Sequence, residues 1–169
     1  MVKKQEEKGF SLIELLIVVA IILIIAAIAI PNLLRARIAA NEASAVGSVR
    51  TLDTSEITYS ATYGTGFAPL ASLGGAIGCV ASAATACLID PVLTAGTKTG
   101  YTVAAVAATG AGTILSPFLD FEVNATPISV TTGTRAFCSD QSGVVRYNMT
   151  GTAIGTAVGN CAAVVTILQ

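Results

Sequence analysis

From Phe10 to Ile30 the chain carries a single charge, Glu14, and from Leu15 to Ile30 every residue is apolar: LLIVVAIILIIAAIAI. About 20 apolar residues span a bilayer core and ~18 nominate a membrane helix, so the stretch counted from Phe10 qualifies. A helix apolar on every side needs an apolar surrounding on every side, and the remaining residues must fold around that demand. Charged residues are 11% of the chain against 53% hydrophobic ones, where an ordinary soluble domain carries about a quarter charged. The composition points to a membrane-linked protein. With 169 residues, the length fits one domain plus an attached element rather than a multidomain enzyme.

Pro31 follows the apolar run, and after it comes NLLRARIAANEASAVGSVRTLDTSEITYSATY, with no proline and one glycine, Gly47. Ile38, Ala45, Val49, Leu52, Tyr59 and Tyr63 recur at steps of seven, four and three, while Arg35, Arg37, Asn41, Arg50, Asp53 and Thr54 lie mostly off that line. Residues 32–63 therefore read as an amphipathic helix with one face seeking a core. Joined across Pro31, residues 10–63 form a rod roughly 80 Å long at ~1.5 Å per residue. A proline removes one backbone bond and clashes with the preceding turn, so a kink is expected at Pro31.

Gly64, Gly66 and Pro69 end the helix, and residues 64–98 show no sustained period, which reads as a long loop crossing from helix to sheet. Tyr101–Val106, Leu119–Asn124, Thr134–Ser139 and Val144–Met149 are short β-branched or aromatic runs separated by Gly, Pro and Asp, the pattern of strands. Asp140-Gln-Ser-Gly143 between the last two reads as a hairpin turn, Gly143 supplying a positive φ. Ala162–Leu168 reads as a final edge strand. The expected class is α+β: one long N-terminal helix packed on an antiparallel sheet of about four strands within residues 99–169.

There is no His, which removes the commonest general base and the commonest metal ligand together. The Ser and Thr residues have no base to activate them, and they read as solvated strand faces and turns. No catalytic residue, cofactor, metal site or small-molecule substrate is expected. Without His, and with C-x7-C and C-x22-C spacings, Cys79, Cys87, Cys138 and Cys161 do not match a usual zinc site and read as two disulfides, with three pairings open. Asp120, Glu122 and Asp140 suit strand ends and a turn without a bound calcium. Asn124-Ala-Thr and Asn148-Met-Thr match the glycosylation sequon, a pattern too permissive to carry weight alone. Net charge is −1, which gives no global field for nucleic acid and disfavours it as a partner.

Residues 1–9, MVKKQEEKG, are charged and precede the apolar run without the small-residue cleavage site that follows an ordinary secretory segment. Lys8-Gly9-Phe10-Ser11-Leu12-Ile13-Glu14 instead sets Gly directly before Phe, with an acid four positions after it. This signature resembles that of the type IV prepilins and pseudopilins. The resemblance is near complete over Lys8–Arg35, weaker to Tyr63, and one of architecture beyond.

The resemblance implies a leader 1–9 removed by a prepilin peptidase between Gly9 and Phe10, with N-methylation of the new Phe10 amine. It implies a membrane and filament-core helix over 10–31, an amphipathic half over 32–63, an αβ loop over 64–98 and a sheet domain over 99–169. A carboxylate inside a membrane helix costs ~2.5–3.5 kcal/mol and persists mainly where it has a partner. In the family the acid at the position of Glu14 is thought to meet the amine of a neighbouring subunit. Related pilins often place Gly about eight residues before the proline, where this chain has Leu23. Pairing in sequence order, Cys79 with Cys87 and Cys138 with Cys161, is expected, the second resembling the late disulfide loop of type IV pilins.

The function implied is a structural subunit, anchored singly in the inner membrane and then polymerised into an extracellular helical pilus. Its implied partners are further copies of itself, the peptidase, an assembly ATPase and an inner-membrane platform. The alternatives are a major pseudopilin of a type II secretion system and a minor pilin for DNA uptake. Fibres lost on deletion, lost exoprotein secretion, or a salt-dependent shift of DNA separate the three.

Overall fold

The computed structural model describes residues 10–164 and 166–168, so the expected leader 1–9, Gly9 included, lies outside the described residues. Eight elements follow in order: α1 (Leu12–Tyr63), α2 (Leu70–Leu73), α3 (Pro91–Thr94), β1 (Thr97–Lys98), β2 (Tyr101–Ala108), β3 (Asp120–Pro127), β4 (Ala136–Asp140) and β5 (Arg146–Asn148). Two compact units divide between Ala36 and Arg37.

The first unit is the apolar part of α1, in which no residue from Leu12 to Ile30 is buried by the chain itself. Pro31 lies inside α1 and has no N–H to offer the carbonyl of Ala27. One residue on, the Asn32 side-chain amide donates to the Ile28 carbonyl at 3.0 Å, an added polar contact where the backbone ladder is interrupted.

The second unit is α+β. From Arg37 the helix continues to Tyr63, where Gly64 takes φ +68° and donates its N–H to the Ser60 carbonyl at 3.0 Å. Only a residue without a Cβ adopts that left-handed cap freely. The sheet is an antiparallel meander in the order β1-β2-β3-β4-β5. Val103 sits opposite Ala125, Ala105 opposite Val123, and Ala125 opposite Phe137. These side chains share the face that meets Ala45, Val49, Leu52 and Tyr59 of α1 in one buried core. Each fully buried Leu or Val side chain contributes roughly 1.5–3 kcal/mol, so this face is what fastens helix to sheet.

Five strands are present where about four were expected. The additional one, β1, falls in the segment read as a loop over 64–98, as do the single-turn helices α2 and α3. A two-residue edge strand has no period to detect, but α3 carried a local signal. Asp90 caps it, accepting the Leu93 N–H at 2.8 Å, with Pro91 at the first helical position, a pairing of cap and proline favoured by geometry.

The other strand bounds also shift for identifiable reasons. β4 begins at Ala136 instead of Thr134 because the N–H groups of Thr134 and Arg135 both donate to Glu42 Oε1, at 3.0 and 3.2 Å. β5 ends at Asn148 because the Asn148 side chain turns the chain, accepting the Thr150 N–H at 2.9 Å. The turn after Asp140 forms as expected, with the Gly143 N–H donating to the Asp140 carbonyl at 2.9 Å and Gly143 at φ +68°. Among the described residues of Ala162–Leu168, the end runs beside β5, through Tyr147 N–H to Thr166 O and Leu168 N–H to Val145 O, both 2.9 Å.

Every residue of β3 from Phe121 to Ala125 is buried, although a strand with one wet face should alternate. The tail accounts for this. Cys161 is joined to Cys138, and its N–H donates to Glu122 Oε2 at 3.0 Å, so the tail covers the sheet face opposite α1. Asn124 on that face bonds Glu122 Oε1 at 3.3 Å. Cys79 is joined to Cys87 in the segment before α3.

Candidate functional site

The site begins where α1 begins. Ser11 immediately precedes the helix, its carbonyl accepts the Leu15 N–H at 3.3 Å, and its own N–H donates to Glu14 Oε2 at 3.0 Å. Ser-x-x-Glu with the acid reaching back to the first amide is one half of a capping box. This spacing of three is a local sequence signal for the helix start. The bond satisfies one orphan amide and places a negative charge at the positive end of the helix. An ionised carboxylate offers about four acceptor positions. Among the described residues Glu14 Oε1 has no partner, so capacity remains for a donor from outside the chain. Phe10, one residue ahead of the cap, is 88% exposed.

Leu12, Leu15, Leu16 and the aliphatic residues that follow are all exposed in the isolated chain. The segment is long and apolar enough to cross a membrane by length and composition. That much contiguous apolar surface marks a site covered by lipid or by other protein.

A family model described as the prokaryotic N-terminal methylation motif matches residues 4–30, a span holding Gly9, Phe10 and Glu14. The amino terminus of this chain carries that methylation motif. A curated relative, the type IV wide pilus major component PilA4 of Thermus thermophilus, is 71% identical over 35 residues. The match covers 21% of this chain and 27% of the relative, so the chain matches about a quarter of that protein's length. No solved structure matches the chain. The family match lies within residues 4–30, outside the sheet unit.

In that unit the sequence reading missed three buried acids. Glu42, Leu52, Glu56 and Tyr59 lie on one helical stripe with Ala45 and Val49, so the signal was a charged residue at a core position. Asp53, expected off the apolar line, is buried as well, with Ser139 and Asp140 of β4 close to it. Glu42 Oε2 accepts two bonds from the Arg135 guanidinium, at 2.6 and 2.8 Å, and Oε1 accepts from Thr134 and Arg135. Burial pushes the Glu42 carboxyl up, but the Arg135 and Thr134 bonds outweigh it and hold the group below its ordinary value of 4.5. Arg135 in turn stacks over Phe137 and Tyr147, 5.5 and 5.4 Å from the ring centres, which makes lysine a poor substitute there.

Asp53 and Glu56 lack such a cation. Burial pushes Asp53 up to about 6, with the Asp140 charge adding to it and the nearby Ser139 hydroxyl opposing it. Burial likewise pushes Glu56 up to about 8, opposed by the Ala68 N–H and reinforced by Asp53. The Ala68 N–H bond to Glu56 Oε2, 2.8 Å, ties the chain leaving the helix back to it. Between their ordinary values of 3.8 and 4.5 and these raised ones, the folded chain holds protons that the unfolded chain has lost. Stability should therefore fall as pH rises from about 4 to about 8, and level off above. Glu42 works the other way, its contribution being lost as pH falls below its ordinary value of 4.5. Urea unfolding of the detergent-solubilised chain at pH 5 and pH 8.5 checks this. Glu56→Gln should flatten most of the slope, and an unchanged slope in that variant would sink the assignment.

Among the described residues no group of three or more His, Cys, Asp or Glu is placed to hold a metal ion. Glu122 and Asp140 are cross-strand neighbours, but both are already engaged. Glu122 takes the Cys161 N–H, and Asp140 takes the Ser142 N–H at 2.8 Å with Arg146 at 3.6 Å. Nothing positively shows an enzymatic activity.

Proposed function

We propose that this chain is a structural subunit of a type IV pilus. The observation that carries the reading is the methylation motif set on a helix whose apolar half the chain itself leaves uncovered. In this proposal a prepilin peptidase cuts between Gly9 and Phe10 and methylates the Phe10 amine. The helix from Phe10 to Pro31 then holds the subunit in the inner membrane, and an assembly ATPase with its membrane platform draws it into an extracellular filament. Moving Leu15–Ile30 from lipid into a bundle of like helices exchanges one apolar setting for another. Little hydrophobic free energy is gained, and packing with the Glu14 pairing has to hold the fibre. Pro31, within the helix, is the proposed place where it bends.

The late Cys138–Cys161 loop favours a pilin over a major pseudopilin, whose C-terminal loop usually lacks a disulfide. Removing the leader takes away Lys3, Lys4, Lys8, Glu6 and Glu7, leaving six basic and eight acidic side chains. A mature charge of −2 gives no support to DNA uptake as the main role.

The mature protein is expected to begin at Phe10 with one additional methyl on its amine, read by intact mass and by N-terminal peptide sequencing. Retention of Met1, or a cut beyond Ile30, would overturn the proposal. Surface fibres that vanish on deletion of the gene, with exoprotein secretion unchanged, separate pilin from pseudopilin.

A further inference from the structure

Two tripeptides of the chain carry an Asn followed two residues later by Thr, Asn124-Ala-Thr126 and Asn148-Met-Thr150, and the fold treats them in opposite ways. An enzyme that glycosylates such a tripeptide reads the Asn amide together with the hydroxyl two residues on, and it needs both at the surface. Asn124 lies inside β3, paired with Ala104 of β2 on one side and Cys138 of β4 on the other. It is 4% exposed, and its Nδ2 already donates to Glu122 Oε1 at 3.3 Å. The extended backbone also spreads residues two apart, by roughly 7 Å.

Asn148 is the last residue of β5, where the strand gives way to a turn. Its Oδ1 accepts the Thr150 N–H at 2.9 Å and the Thr150 hydroxyl at 2.8 Å. A backbone N–H can only donate, so the turn fixes which end of the Asn148 amide is oxygen. Both bonds fall on that oxygen, and Nδ2 is left without a partner among the described residues. The hydroxyl that a transferase must read is held against the same amide. Met149 is 70% exposed and Thr150 is exposed. Beside them a hollow of about 310 Å³ opens toward Pro127 and Val130, which leaves free space on that side of the turn. Gly151 then takes φ +65° and reverses the chain, a conformation that a residue with a Cβ adopts only under strain.

We propose that Asn148 is an N-glycosylation site of this chain and that Asn124 is not. The donor is an oligosaccharide carried on a lipid pyrophosphate, brought by a membrane-bound transferase. Asn148 Nδ2 forms a bond to the anomeric carbon of the first sugar. The bond from that carbon to the phosphate oxygen breaks, the lipid pyrophosphate leaves with the electron pair, and one Nδ2 proton passes to a base of the transferase. Thr150 is the recognition group and is not itself modified. The inference rests on the membrane anchoring proposed above, which sets the sheet unit outside the cytoplasm, on the side where such donors are used. The choice between the two tripeptides comes from the fold alone, since both satisfy the same sequence pattern.

The test uses the full chain isolated from the cell that makes it, read by intact mass and by mass spectrometry of its peptides. The peptide holding Asn148 should carry sugar that survives mild alkali, which strips sugars from Ser and Thr, and the peptide holding Asn124 should be bare. Asn148→Gln and Thr150→Val should each lose the added mass, Thr150→Ser should keep it, and Thr126→Val, which breaks the other tripeptide, should leave it unchanged. A bare Asn148 peptide in a chain that begins at Phe10 would overturn the site and leave the anchoring standing. A bare chain that retains Met1 would overturn both. Sugar on Asn124, or added mass that persists in Asn148→Gln, would also overturn the assignment. The map of the unaltered chain decides even where a variant fails to accumulate.

Discussion

Glu14→Ala is expected to enter the membrane, to be cleaved after Gly9, and to build few or no fibres. A carboxylate in an apolar run costs ~2.5–3.5 kcal/mol on insertion scales, so its removal favours insertion. The same removal takes away the one side-chain charge from Phe10 to Ile30 that can meet a neighbour's Phe10 amine, and an unpaired buried amine is strongly unfavourable. The bond from the Ser11 N–H to Glu14 adds a second role, and Glu14→Gln tells the two apart. Glutamine can still accept at the cap but carries no charge. If charge pairing drives assembly, Glu14→Gln fails as Glu14→Ala does, with fibres down by about tenfold or more. If capping is what matters, Glu14→Gln assembles and Glu14→Ala does not. Glu14→Asp keeps the charge with one methylene less of reach and should fall between. Normal fibres composed of Glu14→Ala alone would remove this carboxylate from the account of assembly.

Removing the Cys138–Cys161 link is expected to be the most damaging change in the sheet unit. The bond closes a loop of 23 residues, for which chain entropy alone gives about 3 kcal/mol. Both cysteines are fully buried. Losing the link frees the tail that covers Glu122 and Asn124, leaving two buried polar groups to find water. For the Cys138→Ala, Cys161→Ala variant a fall in Tm of about 10 °C follows, taking a few degrees per kcal/mol for a chain of this size. The Cys79–Cys87 link closes 8 residues, and its cysteines are half-buried. Its loss should cost less, about 2.5 kcal/mol, and thiol reductant should open it first. Thermal unfolding of the detergent-solubilised variants measures the order, and a larger fall from the shorter link would contradict it.

The apolar run, the helix that continues past it, the turn at Asp140–Gly143 and the strand segments were legible because each is written in consecutive residues. A run of sixteen apolar residues from Leu15 to Ile30, a glycine able to take a positive φ at Gly64, or an alternation along β2 needs no distant partner to be recognised. Ser11 and Glu14 belong to the same class, since the capping box is a spacing of three. What the sequence withheld depends on contacts between segments far apart in the chain. Glu42 is legible only as an acid on a core stripe until Arg135, 93 residues away, supplies its charge and the N–H groups that shorten β4. Asp53 read as solvent-facing because the helical period measures the helix alone, and it is β4 that buries it. Glu122 looked like a strand-end acid until the tail brought the Cys161 N–H onto it. β1 is two residues long and exists through its pairing with β2. Local free energies of helix, turn and cap are fixed by neighbours in sequence, whereas the burial of a charge is fixed by whichever segment arrives to cover it.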